Sequence, residues 1–178
     1  MWSWPPKLPG YSARMASHHV AQVNASLPRE PLDSQRLADF VAALDPVNSV
    51  GEAAPGFVWR LQTEDGNATA VRLLDDDRII VNLTVWESIE ALGDFAFRNP
   101  AHLEVLRRRR HWFVPPTQAM TALWWIPAGT LPTVADAEQR LLHLREHGPS
   151  PYAFTFREPF AAPDAAALSA DEGWFCPA

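Results

Sequence analysis

The residues in this chain best suited to chemistry are one histidine, a set of strand amides and a run of arginines. His102 lies one helical turn before Val105 and Leu106 and two turns before Arg109, on or beside the helix face that carries Leu92, Phe95, Leu106 and Phe113. An imidazole with a pKa of about 6.5 can give or take a proton at neutral pH, and it can also ligate haem iron. The alternative is a histidine at the core edge, bonded to a carbonyl or a carboxylate. Asn24, Gln22 and Asn82 place amide groups on strands that alternate with apolar residues. They either line a small-molecule cleft with a few directional donors or bond across a dimer from the open face of the sheet.

The run Arg107 to Arg110 wraps all sides of a helical turn, so its four guanidinium groups cannot converge on one anion. Three of them are expected to be solvated or paired with Glu104, Glu87 or Asp94. Arg109, seven residues after His102, is expected to turn inward and to hold a carboxylate or phenolate bidentately. Of the eight tryptophans, Trp59, Trp86, Trp112, Trp124 and Trp125 fall in patterned segments. They form either a cage for a planar substrate or the filling of a core and an interface. Trp124 and Trp125 point to opposite faces of a strand, so at most one of them lines a given cavity.

Other chemistries are excluded or weak. The lone Cys176 rules out an internal disulfide and a cysteine-based metal site, and it suits a reducing compartment. His18-His19 and the i, i+4 pair His143 and His147 lack an acidic partner at fixed spacing, so no metal site is expected. There is no glycine-rich phosphate loop, dinucleotide fingerprint or nucleophile elbow, which removes kinase, dehydrogenase and hydrolase readings. A net charge of -6 argues against a general nucleic-acid binder. No apolar run approaches the ~20 residues of a membrane span, and no signal peptide is indicated, so the expected location is cytoplasmic.

The elements that must position these residues follow from periodicity. Residues 1–16 read as a flexible arm, 17–160 as one domain and 161–178 as a tail. His18 to Leu27 alternates as a strand, with Ala21, Val23 and Ala25 on one face and Val20, Gln22 and Asn24 on the other. Asp33 or Ser34 is expected to cap a helix with Leu37, Phe40, Val41 and Leu44 inward, ended or kinked by Pro46, with Val47 to Ala54 continuing as a second helical piece. Strands follow at Phe57 to Gln62 and Ile79 to Val85, with a Glu64 to Asn67 turn and a weak extended piece, Ala68 to Leu73, between them. Ser88 caps a helix from Ile89 to about Trp112, interrupted at Asn99-Pro100. Ala119 to Ile126 is the next strand, Thr133 caps a helix over Val134 to His147 closed by Gly148, and Ala153 to Phe156 is extended. The order strand, helix, strand, strand, helix, strand predicts an α+β, ferredoxin-like split-βαβ sheet with helices on one face, plus an extra C-terminal helix. The uncovered face predicts a homodimer.

The join Val81-Asn82-Leu83-Thr84-Val85-Trp86-Glu87-Ser88 is the first of several shared features. The others are Ala101-His102 ahead of the arginine run, Trp112-Phe113, Leu123-Trp124-Trp125-Ile126-Pro127-Ala128-Gly129 and Ala153 to Arg157. Together they resemble an uncharacterised family of monooxygenase-like, dimeric α/β-barrel proteins, over about residues 18–160. The superfamily includes cofactor-free antibiotic-biosynthesis monooxygenases, haem-degrading monooxygenases, polyketide cyclases and stress-response barrels. The resemblance implies an oxygenase of secondary metabolism acting on an aromatic or enolisable substrate, with no cofactor or with haem. In that reading Asn24 and Asn82 position the substrate, and His102 transfers a proton or ligates iron. Trp86 and Phe95 shape a cavity lined also by Trp59, Trp124 and Leu106, and Arg109 steadies a developing anion. The haem-degrading branch has an Asn on its first strand, matched by Asn24; Phe95 stands where it has a Trp, and His102 falls about one turn before its histidine. The same pocket also suits an oxygen-free cyclase or isomerase, and a well-filled interior would instead mark a non-catalytic ligand-binding or stress-associated barrel.

Overall fold

The computed structural model describes residues 18–63 and 73–163. The expected N-terminal arm, the Glu64 to Asn67 turn, nearly all of the Ala68 to Leu73 piece, Cys176 and most of the tail lie outside the described residues. The elements are β1 (His18–Ser26), α1 (Ala38–Glu52), β2 (Phe57–Arg60), β3 (Ile80–Trp86), α2 (Ile89–Arg98), α3 (Pro100–Trp112), β4 (Thr121–Pro127) and α4 (Val134–His147). They form an antiparallel sheet of order β2-β3-β1-β4, the expected ferredoxin-like α+β plan with an added C-terminal helix. Phe154 extends the sheet edge by exchanging backbone hydrogen bonds of 2.8 and 2.9 Å with Leu123.

Register decides which side chains share a face. Val23 lies opposite Leu83 and Ala122, and Ala21 lies opposite Val85 and Trp124. These residues, with Ala25 and Val81, pack against Ala137, Leu141 and Leu144 of α4. The other face carries Val20, Trp86 and Leu123, which pack with Ile89, Leu92 and Phe95 of α2, while Leu37 and Phe40 of the α1 region pack with Trp112 and Ile80. Thus α1, α2 and α3 lie on one face, as the split-βαβ plan requires, and the extra helix packs on the other, over β1 and β4. The expected homodimer rested on an open sheet face; α4 packs over the β1 and β4 part of that face, with Leu73 and Ile79 joining the same cluster.

Helix boundaries follow local chemistry. The hydroxyl of Thr133 accepts from the Asp136 N–H while the Asp136 carboxylate accepts from the Thr133 N–H, a reciprocal cap that starts α4 where expected. In contrast, α1 starts later than its expected caps, after Leu37, and has no side-chain cap. It also continues through Pro46 to Glu52, with Phe40 before the proline and Gly51 after it both buried. Val41, expected inward, is exposed.

The turn before β2 depends on Gly56, whose φ is +79° and whose carbonyl accepts from the Glu87 N–H at 2.8 Å. A Cβ there would lie 2.6 Å from the Ala91 Cβ, whereas one at Gly129, at φ +84°, would meet nothing within 4 Å. Gly129→Ala is therefore expected to cost about 1–2 kcal/mol of backbone strain, and Gly56→Ala about 1–3 kcal/mol more from the clash. Urea denaturation of the two variants measures the difference, and equal losses would refute the tight approach of α2 to this turn.

Candidate functional site

The helix interruption at Asn99-Pro100 places His102. Ser88 caps α2, and Asn99 ends it in an extended conformation while its side-chain oxygen accepts from the N–H groups of Ala101 and His102 to start α3. In an uninterrupted helix the Ala96 carbonyl would accept from residue 100, but proline has no N–H. The imidazole of His102 supplies the missing donor, Nδ1 to the Ala96 oxygen at 2.8 Å. A carbonyl only accepts, so the proton sits on Nδ1 and Nε2 keeps its lone pair. Burial lowers the His102 pKa, opposed in part by the bond to Ala96, and the ring is neutral at pH 7.

An aromatic wall runs from His102 across the sheet. Phe95 tilts against the imidazole at 4.9 Å, stacks on Trp86 at 5.2 Å, and Trp86 meets the edge of Phe57 at 5.3 Å. Gly51 of α1 makes room for Phe95, since a Cβ there would come within 3.2 Å of the ring. The floor is polar. Asn24 and Asn82 are opposite one another in register, and Thr121 donates to the Asn24 side-chain oxygen at 2.8 Å, turning its NH2 away from that bond. The Trp86 indole donates to the Thr84 hydroxyl at 3.0 Å, and Thr84 donates in turn to the Gln22 oxygen at 3.2 Å.

Wall and floor enclose a cleft of about 1080 Å³ between the sheet and α1 to α3. Of the sequence-derived site residues, it brings together Asn24, Asn82, Trp86, Phe95, His102, Leu106 and Arg109. Arg109 stays at the exposed edge, with its guanidinium bonded to the Leu106 carbonyl at 3.0 Å rather than turned inward. Arg107 pairs with Glu104 as expected, and Arg108 pairs with Asp39 of α1, an acid the spacing did not suggest. Trp59 and Trp124 must be removed from the lining. Their register partners, Val85 and Ala21, put them on the α4 face of the sheet. Thr84, Gly51 and Phe57 are site residues that periodicity missed; the signal for Thr84 is its place two residues before Trp86, on the same strand face. His143 bonds to the Ser150 hydroxyl at 2.9 Å, and among the described residues no three His, Cys, Asp or Glu side chains form a metal-binding group. No helix among them is long and apolar enough to cross a membrane.

Comparison with known proteins adds the following. The family described as Domain of unknown function (DUF3291) matches residues 19–170. No curated protein sequence matches the chain. Among solved structures, SnoaB, a cofactor-independent oxygenase from Streptomyces nogalater, is 21% identical, covering 65% of this chain and 98% of its own, with a TM-score of 0.42. Rv0793 from Mycobacterium tuberculosis is 16% identical over 65% of this chain and 99% of its own, with the same TM-score. A putative antibiotic biosynthesis monooxygenase from Nitrosomonas europaea is 15% identical over 65% and 92%, with a TM-score of 0.40.

The state of His102 has a consequence for stability. Its folded pKa lies below the unfolded value of about 6.5, so the unfolded chain binds more protons between the two values, and stability rises with pH across that window. Below the folded value the dependence on this group ends. Urea titrations from pH 5 to 7.5 are expected to show this rise in the wild type and its loss in His102→Gln; the same slope in both proteins would refute a neutral, buried His102.

Proposed function

The chain belongs to the DUF3291 family, and from that premise and the chemistry of the cleft we propose that it is a small-molecule enzyme, a monooxygenase-like protein acting on an aromatic or enolisable substrate. His102 carries the reading: a half-buried, neutral imidazole whose proton is tied down at Nδ1 and whose Nε2 makes no hydrogen bond to the described residues. That is the state a general base needs at neutral pH. The flat ring of the substrate lies against Phe95, which is backed by the buried Trp86, and its oxygen takes hydrogen bonds from the amides of Asn24 and Asn82 on the floor. Removal of an acidic ring or α proton to His102 leaves an enolate or phenolate, which these donors stabilise.

Such an anion is electron-rich enough to reduce O2. For a ring CH2 the balance is one O2 consumed, one oxygen retained as C=O and the other released as water. Haem, where bound, would supply oxygen activation at iron, and the Nε2 of His102 is the donor that would take it; no step above depends on it. A cyclase or isomerase would use the same deprotonation without oxygen. A filled, non-catalytic barrel is disfavoured by the size of the cleft.

With an anthrone as the probe substrate, oxygen uptake is expected in the wild type and should fall by about 100-fold or more in His102→Ala, with anthrone binding retained. Product formation without oxygen uptake would assign the cyclase or isomerase chemistry, and full turnover by His102→Ala would overturn the proposed role of the base.

A further inference from the structure

The charges around the cleft run opposite to those of the whole molecule. The protein carries a net charge of -6, yet the titratable side chains bordering the cleft include Arg60, Arg109, Arg110 and Arg145 against one carboxylate, Asp76. Asp76 is already occupied: both its oxygens accept from Arg78, at 2.9 and 2.7 Å, which holds its pKa down at about 2. Arg60 is likewise matched by Glu52. Arg109, Arg110 and Arg145 have no carboxylate within ion-pair distance among the described residues.

Arg145 is the most informative of the three. It projects from α4, and its Nε donates to the Ala119 carbonyl at 2.8 Å while one terminal nitrogen contacts the Met120 sulfur at 3.0 Å. These contacts fix the guanidinium beside the start of β4 and use two of its five N–H groups. Half-burying a guanidinium without a counter-ion costs desolvation, and burial alone lowers its pKa from the ordinary arginine value. A cation so held, at the border of a cleft and with donors to spare, is built to receive an anion.

We propose that the end of the cleft between α3 and the start of β4 is a carboxylate-binding subsite, with Arg145 as its anchor and Arg110 and Arg109 also bordering the cleft. This rests on the reading of the cleft as a substrate site and narrows the substrate to a flat aromatic compound bearing an acidic side arm. The ring occupies the Trp86 and Phe95 end. Met120 and Ala25 lie about five strand residues, or about 17 Å, from the level of Trp86 and Val20, so the acid must stand on an arm and not on the ring itself.

The test uses 9-anthryl alkanoates with arms of three to six carbons, and the matching primary amides, titrated against the full-length protein by quenching of tryptophan fluorescence at low salt. At least one acid is expected to bind tenfold or more tightly than its amide, with the preference shrinking as salt is added. Arg145→Gln should remove most of that preference while leaving amide affinity unchanged, which also reports that the variant is folded. Arg145→Lys should keep part of it. His102→Gln should abolish turnover yet leave the acid preference intact, so loss of the catalytic reading and loss of the subsite are separable. Equal binding of acids and amides across the series, or an undiminished preference in Arg145→Gln, would overturn the proposal.

Discussion

The Ala96 carbonyl has no helical partner because residue 100 is a proline, and it takes the Nδ1 proton of His102 at 2.8 Å. Much of the site hangs on that substitution of a side chain for a backbone donor. It selects one imidazole tautomer, holds the ring against Phe95, and through Phe95 braces the stack onto Trp86. It also explains why the break between α2 and α3 is tolerated. A helix end leaves carbonyls unsatisfied; here a functional side chain meets part of that need, and Asn99 meets the corresponding need of the amides at the start of α3.

The two faces of the sheet divide the labour of the fold. Beneath α4 the strands present Ala, Val, Leu and Trp124, all nearly inaccessible to solvent, and this side supplies stability through close packing. On the other face the same strands present Asn24, Asn82, Thr84 and Thr121, which cannot be covered by apolar helix residues without stranding hydrogen-bonding groups. The helices therefore stand off from the sheet there. The cleft is a direct result of putting amides and hydroxyls on alternate strand positions.

Much of this was legible in the sequence. The reciprocal cap of Thr133 and Asp136, the stop at Gly148 and the break at Asn99-Pro100 are written in local chemistry, and the structure has each of them. Asn24, Asn82 and His102 could be singled out as polar groups among apolar strand and helix positions, and the family resemblance joined Phe95 to them. The misplacement of Trp59 and Trp124 has a definite cause. Alternation separates the two faces of a strand but does not say which face meets which helices, and that depends on register across β2, β3, β1 and β4. The same holds for Arg108 and Asp39, 69 residues apart, and for the link from Trp86 through Thr84 to Gln22. Helix on both sides of Pro46 was legible as two pieces, but local cost argued for an interruption there, and the joining of the pieces into one α1 was not.

The position of β1 also bears on how the chain is made. This strand precedes β2, β3 and β4 in the chain and occupies an interior place in the sheet, yet its partners come late: Gln22 bonds to Thr84, 62 residues onward, and Asn24 to Thr121, 97 residues onward. Neither edge of β1 can be satisfied by anything nearby in sequence. The nascent chain must carry an unpaired, valine-rich strand through most of its synthesis, and closure of the sheet must wait for β4. Folding is thus a late and largely concerted event, and the interval before it is when the chain is most exposed to misassociation and to capture by chaperones.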